Sequence, residues 1–506
     1  MSITSFGFLL MICAGVSLYY ILPKSWQWVE LLVLSLIFYC MSAAPYTFVY
    51  ILISTAAAYI STRFARGKGA ETDRGRKLAA CLGVGAVLIN VGLWFVFKGK
   101  GLWMPFFGEA AVMPYLAALG MGYYTLQVIG YILDCYWGSI EPQKNPLKLL
   151  LFVCFFPQMI TGPISRYSQL EALYEKHPLS YENITFGAQR ILWGFFKKLV
   201  LAERVGAVVN AIWEMQTQEA VFLWIALLLY PIQMYADFSG CMDIVIGAAE
   251  CFGIKLPENF NNPFFARSIQ EFWQRWHITL GTWAKDYVLY PLLKSERMVR
   301  LGSSAKKKFG KRYGKFISTA LGMLVLWLVM GIWHGGVKYI LGVSLWYWAL
   351  LMLGDLCAPG LKKVTRLLKV HEDSFSWRLL QSIRTYLIYA VGAVFFRAET
   401  VGGALAFFKN MLVMTVNGNL HLENLFNKSL LQLGLNISDW IVILISVLLL
   451  VTAAVLREKD GYARAWVARQ ILPFRWFVWL GFLVAVVICG KYGEQYNAVN
   501  FIYQIF

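Results

Sequence analysis

Long apolar runs separated by short polar or basic connectors recur along the whole chain. They stand at 5–22, 27–43, 45–62, 78–97, 115–133, 187–212, 219–236, 316–334, 338–355, 380–397, 437–456 and 474–490. Each approaches the ~20 residues a helix needs to cross a hydrocarbon core of ~30 Å. The apolar positions are continuous and do not alternate in ten-residue blocks, which excludes a transmembrane β-barrel. The pattern predicts an all-α, polytopic membrane protein of roughly eleven to twelve transmembrane helices. Two stretches depart from it. Residues 150–163 (LLFVCFFPQMITGP) are apolar but short, and Pro157, Gly162 and Pro163 interrupt them. Residues 240–290 mix Asp, Glu, Asn and Arg with aromatics. Irregular backbone survives at membrane depth only where protein buries it or water lines it. Both stretches therefore predict re-entrant or interfacial helices around a protein-lined cavity. No fixed-period repeat or low-complexity linker divides the chain, so 1–506 reads as a single membrane domain.

Composition strengthens this picture. Of 506 residues, 59% are hydrophobic and only 15% charged, whereas soluble domains carry about 25% charged residues. The formal net charge of +18 would suit nucleic acid if it were spread over a surface. It is instead concentrated between the apolar runs: six Lys/Arg in 63–77, nine in 294–315, six in 361–384 and five in 457–475. Short basic connectors mark the cytoplasmic side. Counting outward from them places both termini outside, with 213–220 and 416–436. The expected partner of this charge is the bilayer with its anionic headgroups, not nucleic acid. A second use is the steering of an anionic substrate from the cytoplasm. The first apolar run lacks a preceding basic region and reads as a retained helix, not a cleaved signal. The nine cysteines show no CxxC pair or Cys/His zinc spacing, so they predict packing and no metal.

Candidate chemistry centres on two of five histidines. His177, His371 and His421 lie in polar or charged surroundings and read as solvated. His334 ends the run LGMLVLWLVMGIWHGG, where burial without partners is costly and the two glycines allow close approach of a backbone or substrate. An interfacial His beside a belt tryptophan, Trp333, and a general base are both open at this point. His277 lies in SIQEFWQRWHITLGTW, within one helical turn of Trp273 and Trp276, and Glu271, Gln274 and Arg275 form a polar side. An amphipathic interfacial helix explains that segment. It does not explain the upstream polar residues Asp237, Ser239, Asp243, Glu250, Glu258 and Asn259, which in a membrane default to a functional site or to pairing with Arg267 or Arg275. Walker, HExxH, GxSxG and Rossmann signatures are absent, which argues against ATP-driven pumping and serine-triad hydrolysis.

The segments FFPQMITGPISR (155–166), GFFKKLVLAER (194–204), YADFSGCMDIVIGAAECFGIKLPENFNNPF (235–264), SIQEFWQRWHITLGTWAKDYVLYPL (268–292), MGIWHGG (330–336), VFFRAET (394–400) and FIYQIF (501–506) resemble membrane-bound O-acyltransferases. They are similar to the bacterial branch that handles alginate O-acetylation. The resemblance implies a helical fold enclosing a tunnel between the two membrane faces. It implies His334 as the catalytic histidine and His277 as the second characteristic one. The tunnel is expected to involve Trp333, Trp276, Asp237, Ser239, Asn259, Arg275, Pro157 and Gly162. The implied donor is cytoplasmic acetyl-CoA, with no permanently bound cofactor. The implied acceptor lies beyond the outer face of a bacterial cytoplasmic membrane, where an SGNH-type acetyltransferase or another acceptor protein modifies a surface polysaccharide. D-alanyl transfer towards teichoic acid from a carrier-protein thioester is the nearest enzyme alternative. A transporter or flippase without acyl chemistry is the alternative of a different class.

Overall fold

The computed structural model describes residues 1–65, 72–99, 101–103, 120–214, 219–425, 433 and 435–492. Sequence features at 66–71, 115–119, 215–218, 426–432 and 501–506 lie outside the described residues. Secondary structure among those described is helical, apart from isolated bridge residues, of which Phe260 and Trp276 pair with each other. Among them, eight helices are long and apolar enough to cross a membrane: Pro45–Ala65, Asp73–Phe97, Ala220–Cys251, Glu296–Trp333, Val337–Leu367, Phe375–Arg397, Ile437–Lys459 and Leu472–Cys489. Three shorter apolar helices accompany them: Phe6–Ile21, Gln27–Ser42 and Val401–Val416.

Two segments differ from the apolar pattern for clear reasons. The run 187–212 is not one helix. Tyr181–Phe195 passes into a π-helical stretch, Phe196–Ala202, and then into Glu203–Glu214. The stretch carries Lys197 and Lys198, both buried, and such π segments often re-aim side chains. Val401–Val416 is an additional apolar helix. Phe407 stacks on Trp213 at 4.7 Å, Trp224 donates to Thr415 Oγ1 at 3.1 Å, and the Ala220 N–H reaches Asn419 O. Its middle and its far end are thus tied to the same end of neighbouring helices, so it packs across that end.

The chain divides into two compact units, Met1–Phe196 with Phe238–Glu258, and Lys197–Asp237 with Asn259–Tyr492. In the first unit the interrupted apolar stretch forms two short helical pieces, Pro146–Cys154 and Phe156–Met159, broken at Phe155. Nine residues rise about 14 Å, far short of a bilayer core. Pro157 sits in the first turn of the second piece, the one helical place where its missing N–H costs nothing. Freed polar groups find partners: the Phe156 N–H donates to Ser35 Oγ, and Ser165 Oγ donates to Gln158 Oε1. Gly162 is required sterically, since a Cβ there would lie 2.1 Å from Gln158 Cα. Further along, glycines spaced seven apart on two antiparallel helices let the backbones touch. A Cβ on Gly187 would stand 2.6 Å from Gly247 O, and one on Gly194 2.6 Å from Gly240 O. Beside this contact Arg190 binds Asp243 at 2.9 Å and Glu258 bidentately at 2.7 Å.

The second unit contains the longest helical element, Glu296–Trp333. Its 38 residues would span about 57 Å if straight. Gly310, at φ +82, folds it instead into a hairpin. A Cβ on Gly302 would meet Ser318 Oγ at 2.7 Å, and one on Gly314 would meet Lys306 Cα at 2.5 Å. The basic connector 294–315 is therefore helical, with Lys306, Lys307, Lys308, Lys311, Arg312 and Lys315 around the hairpin tip. Buried charges in this unit are paired. Lys198 lies 2.5 Å from Asp237 and 2.7 Å from Glu203, and Arg204 lies 2.9 Å from Asp439, which Lys491 also contacts at 3.2 Å.

Candidate active site

Residues 259–284 build a tight corner in the second unit. The Asn261 N–H donates to Arg275 O and the Ile278 N–H donates to Asn259 O, at 2.9 and 3.0 Å. Residues 259–261 thus run antiparallel to 275–278, and Phe260 and Trp276 form the isolated bridge. Trp276 is almost fully buried among aromatics: stacked on Phe272, edge-on to Phe260, and 5.0 Å from Tyr389. The next residue, His277, adopts the left-handed conformation (φ 46) as N-cap of the helix Ile278–Ala284. That conformation is uncommon for a residue with a Cβ and marks a position held by its surroundings.

The surroundings are visible. Asn259 Oδ1 accepts from Thr279 N–H at 3.1 Å and from Thr279 Oγ1 at 2.9 Å, and lies 3.2 Å from His277 Nδ1. Arg275 bonds Glu271 at 2.8 Å and Glu458 at 2.5 Å, and Glu458 also accepts from Asn262 Nδ2 at 3.1 Å. Arg275 therefore clamps the corner to the helix Ile437–Asp460. His277 is 3% exposed. Burial, with the His334 imidazole beside it, pushes its pKa down to about 3, so the ring is neutral near pH 7.

His334 caps the C-terminal end of the hairpin's apolar arm and is 7% exposed. Gly335, at φ +85, turns the chain immediately after it. The imidazole packs against Trp333 (4.8 Å), Tyr339 (5.3 Å) and, edge-on, Phe396 (5.2 Å). The Trp333 ring also lies 6.1 Å from His277, so one indole touches both imidazoles. Lys338 donates to Ala398 O at 2.7 Å and sits over the Tyr339 ring.

A cavity of about 510 Å³ opens beside this cluster. His277, Trp273, Trp276, Trp327 and Met330 line part of it, and Lys285, Arg312 and Lys315 supply cationic lining. Arg312 and Met330 lie on the same helical arm, so the cavity follows it for about 27 Å. The cations of the hairpin tip are at one end and the aromatic histidine site is towards the other.

The sequence-selected residues fall into distinct places. His277 and Trp276 line the cavity, Trp333 bridges His277 and His334, and Asn259 and Arg275 support the corner. Asp237 is the buried counter-ion of Lys198, a partner the sequence did not indicate. Ser239, Pro157 and Gly162 are buried in the first unit. Sequence reasoning did not single out Lys285, Arg312 and Lys315 as cavity residues; their signal was the basic run itself. Nor did it find Glu458, which meets Arg275 from 183 residues away and has no local signature. Among the described residues, no three His, Cys, Asp or Glu side chains gather as a metal site.

With this geometry in place, comparison with known proteins is informative. The chain is 31% identical to the probable alginate O-acetylase AlgI of Pseudomonas aeruginosa over 297 residues, 58% of this chain and 52% of that protein. It is 30% identical to the peptidoglycan O-acetyltransferase of Helicobacter pylori over 336 residues, 60% and 58% of the two chains. It is 31% identical to the teichoic acid D-alanyltransferase of Bacillus subtilis over 228 residues, 44% and 54%. The chain spans about half the length of the curated relatives it matches. Residues 142–366 match the membrane-bound O-acyltransferase (MBOAT) family model, a stretch that contains His277, His334 and the whole lining of the cavity.

Proposed function

We propose that the protein is a membrane O-acyltransferase that moves an acetyl group from cytoplasmic acetyl-CoA towards an extracytoplasmic acceptor used in cell-surface polysaccharide O-acetylation. The observation that carries this reading is the cavity, which joins the cations Arg312 and Lys315 to the aromatic site of His277. Polyanionic phosphates cannot enter hydrocarbon cheaply, so they stay at the basic end while the thioester arm reaches inward. His334 removes the proton of an acceptor hydroxyl as its oxygen attacks the thioester carbonyl. The C–O bond forms, the C–S bond breaks, and the proton passes to the leaving thiolate. General-base assistance of this kind is worth about 10²–10⁴-fold.

In this reading the eight long helices and the shorter apolar ones form a bundle of roughly eleven to twelve crossings around a tunnel. Both termini face outward, in a bacterial cytoplasmic membrane. An SGNH-type acetyltransferase or another acceptor protein takes the acetyl group on the outer side. The similarity to a teichoic acid D-alanyltransferase supports a second reading, D-alanyl transfer from a carrier-protein thioester. The cationic cavity lining favours a free nucleotide thioester over it.

The test is transfer of labelled acetyl from acetyl-CoA to an acceptor by the purified protein in nanodiscs. His334→Ala should abolish transfer at unchanged folding, while His371→Ala leaves it unchanged. Wild-type transfer by His334→Ala would remove the assignment of the base. Failure of the wild-type protein to use acetyl-CoA, with transfer from a D-alanyl carrier thioester, would establish the second reading.

A further inference from the structure

The left-handed His277 corner holds information about which nitrogen of that ring carries a proton. Asn259 meets three successive residues across the turn: its backbone carbonyl accepts from the Ile278 N–H, and its side-chain oxygen faces Thr279 and His277. The orientation of the Asn259 amide is fixed by chemistry. A backbone N–H only donates, so the atom 3.1 Å from Thr279 N is the amide oxygen and not its NH₂. The Thr279 hydroxyl, 2.9 Å away, donates to the same oxygen. A carbonyl oxygen carries no hydrogen. Its 3.2 Å contact with His277 Nδ1 is therefore a hydrogen bond only if Nδ1 is protonated.

We propose that Asn259 is a positioning residue that locks His277 in the Nδ1–H tautomer, leaving the lone pair of that ring on Nε2. In a neutral imidazole only one nitrogen carries hydrogen. His277 Nε2 is then an acceptor and cannot donate to an oxyanion. That leaves orientation or proton relay as its role, and oxyanion stabilisation falls to other groups. The role in transfer rests on the reading proposed above; the tautomer does not. The titratable groups nearest the ring are His334 beside it and Glu271 and Arg275 on the preceding helix; Lys285, Arg312, Lys315 and Asp355 line the cavity further along.

The tautomer is read directly from the ¹⁵N spectrum of histidine-labelled protein in nanodiscs, with His277 assigned by its loss in His277→Gln. Protonated Nδ1 and bare Nε2 are expected, and the Nε2–H form would overturn the proposal without reference to turnover. In the transfer assay, Asn259→Ala should lower kcat at least about tenfold with donor KM little changed. Asn259→Asp keeps the acceptor oxygen but adds a charge beside Nδ1. It should preserve the tautomer while moving the acidic limb of the pH–rate profile upward, a shift that a merely structural asparagine would not produce. Where Asn259→Ala fails to accumulate in membranes, the aspartate variant and the wild-type spectrum decide. An unchanged pH profile in Asn259→Asp would sink the positioning role. Inactive wild-type protein with the expected tautomer would instead count against the acyltransferase reading alone.

Discussion

Neutralising the two hairpin cations that line the cavity, Arg312→Gln with Lys315→Gln, should weaken donor binding and leave chemistry intact. Both side chains are exposed, so full low-dielectric Coulomb energies do not apply. Exposed charge pairs contribute about 0.2–1 kcal/mol each, and hydrogen bonds to charged groups about 1.5–3 kcal/mol. Taking about 0.5–1 kcal/mol per cation, the double variant loses about 1–2 kcal/mol of donor affinity. That is roughly a 5- to 30-fold rise in donor KM. The residues sit about 22–27 Å along the helical arm from Met330, too far to touch the reacting carbonyl, so kcat should hold. Loss of binding shared equally by ground and transition states has that signature. The assay is steady-state transfer in nanodiscs at two ionic strengths, with acetyl-CoA and with acetyl-pantetheine, which lacks the nucleotide phosphates. Wild-type KM for acetyl-CoA should rise with salt, and the double variant should be nearly salt-insensitive. With acetyl-pantetheine the two proteins should behave alike. Equal KM values for acetyl-CoA at low salt, or an equal penalty with both donors, would refute the placement of phosphates at this end.

Two further outcomes follow from buried groups. Because burial lowers the His277 pKa to about 3 from an unfolded value near 6.5, the unfolded chain binds the proton first as pH falls. This residue therefore contributes a stability loss of up to about 1.4 kcal/mol per pH unit below pH 6.5. His277→Gln should flatten that part of the melting-temperature profile by differential scanning fluorimetry, and an unchanged slope would contradict its burial as a neutral ring. Lys198→Met leaves Asp237 and Glu203 side by side in the protein interior and should cost about 3–5 kcal/mol, read as a fall in melting temperature. Adding Asp237→Asn should recover part of the loss, and a wild-type melting temperature for Lys198→Met alone would show that the pair is not buried as described.

Most spans were legible because helix formation across a membrane depends on local properties, apolar length and the absence of charge. The break between Pro146–Cys154 and Phe156–Met159 was legible for the same reason, since Pro157 and Gly162 act on their own backbone. The failures arise where distant residues decide. The run 187–212 is apolar enough to suggest one helix, but Lys198 is satisfied by Asp237, 39 residues away, and the chain adopts a π-helical stretch there. The basic segment 294–315 reads as a connector because its charges suit water. It folds as a helical hairpin because Gly302 and Gly314 let its two arms touch. In the site, aromatic context singled out His277 and His334, but only tertiary structure shows a shared tryptophan between them.

The same comparison separates charges that hold the fold from those that do chemistry. Intramembrane acids and bases default to a functional reading, and Asp237 carried one. Its carboxylate is only 3% exposed and lies against an ammonium that is 4% exposed. Removing either charge would strand the other in the protein interior. Arg204 and Asp439 repeat the arrangement at 6% and 9% exposure. The pairing gives these charges a role in holding the fold. An imidazole differs, because its resting state can be neutral and so costs far less to bury than an ion. Two such rings share the Trp333 face, and one of them lines a cavity with cations towards its other end. A reaction that creates charge only transiently fits a site built on imidazoles, with permanent charges paired elsewhere or kept towards the far end of the cavity.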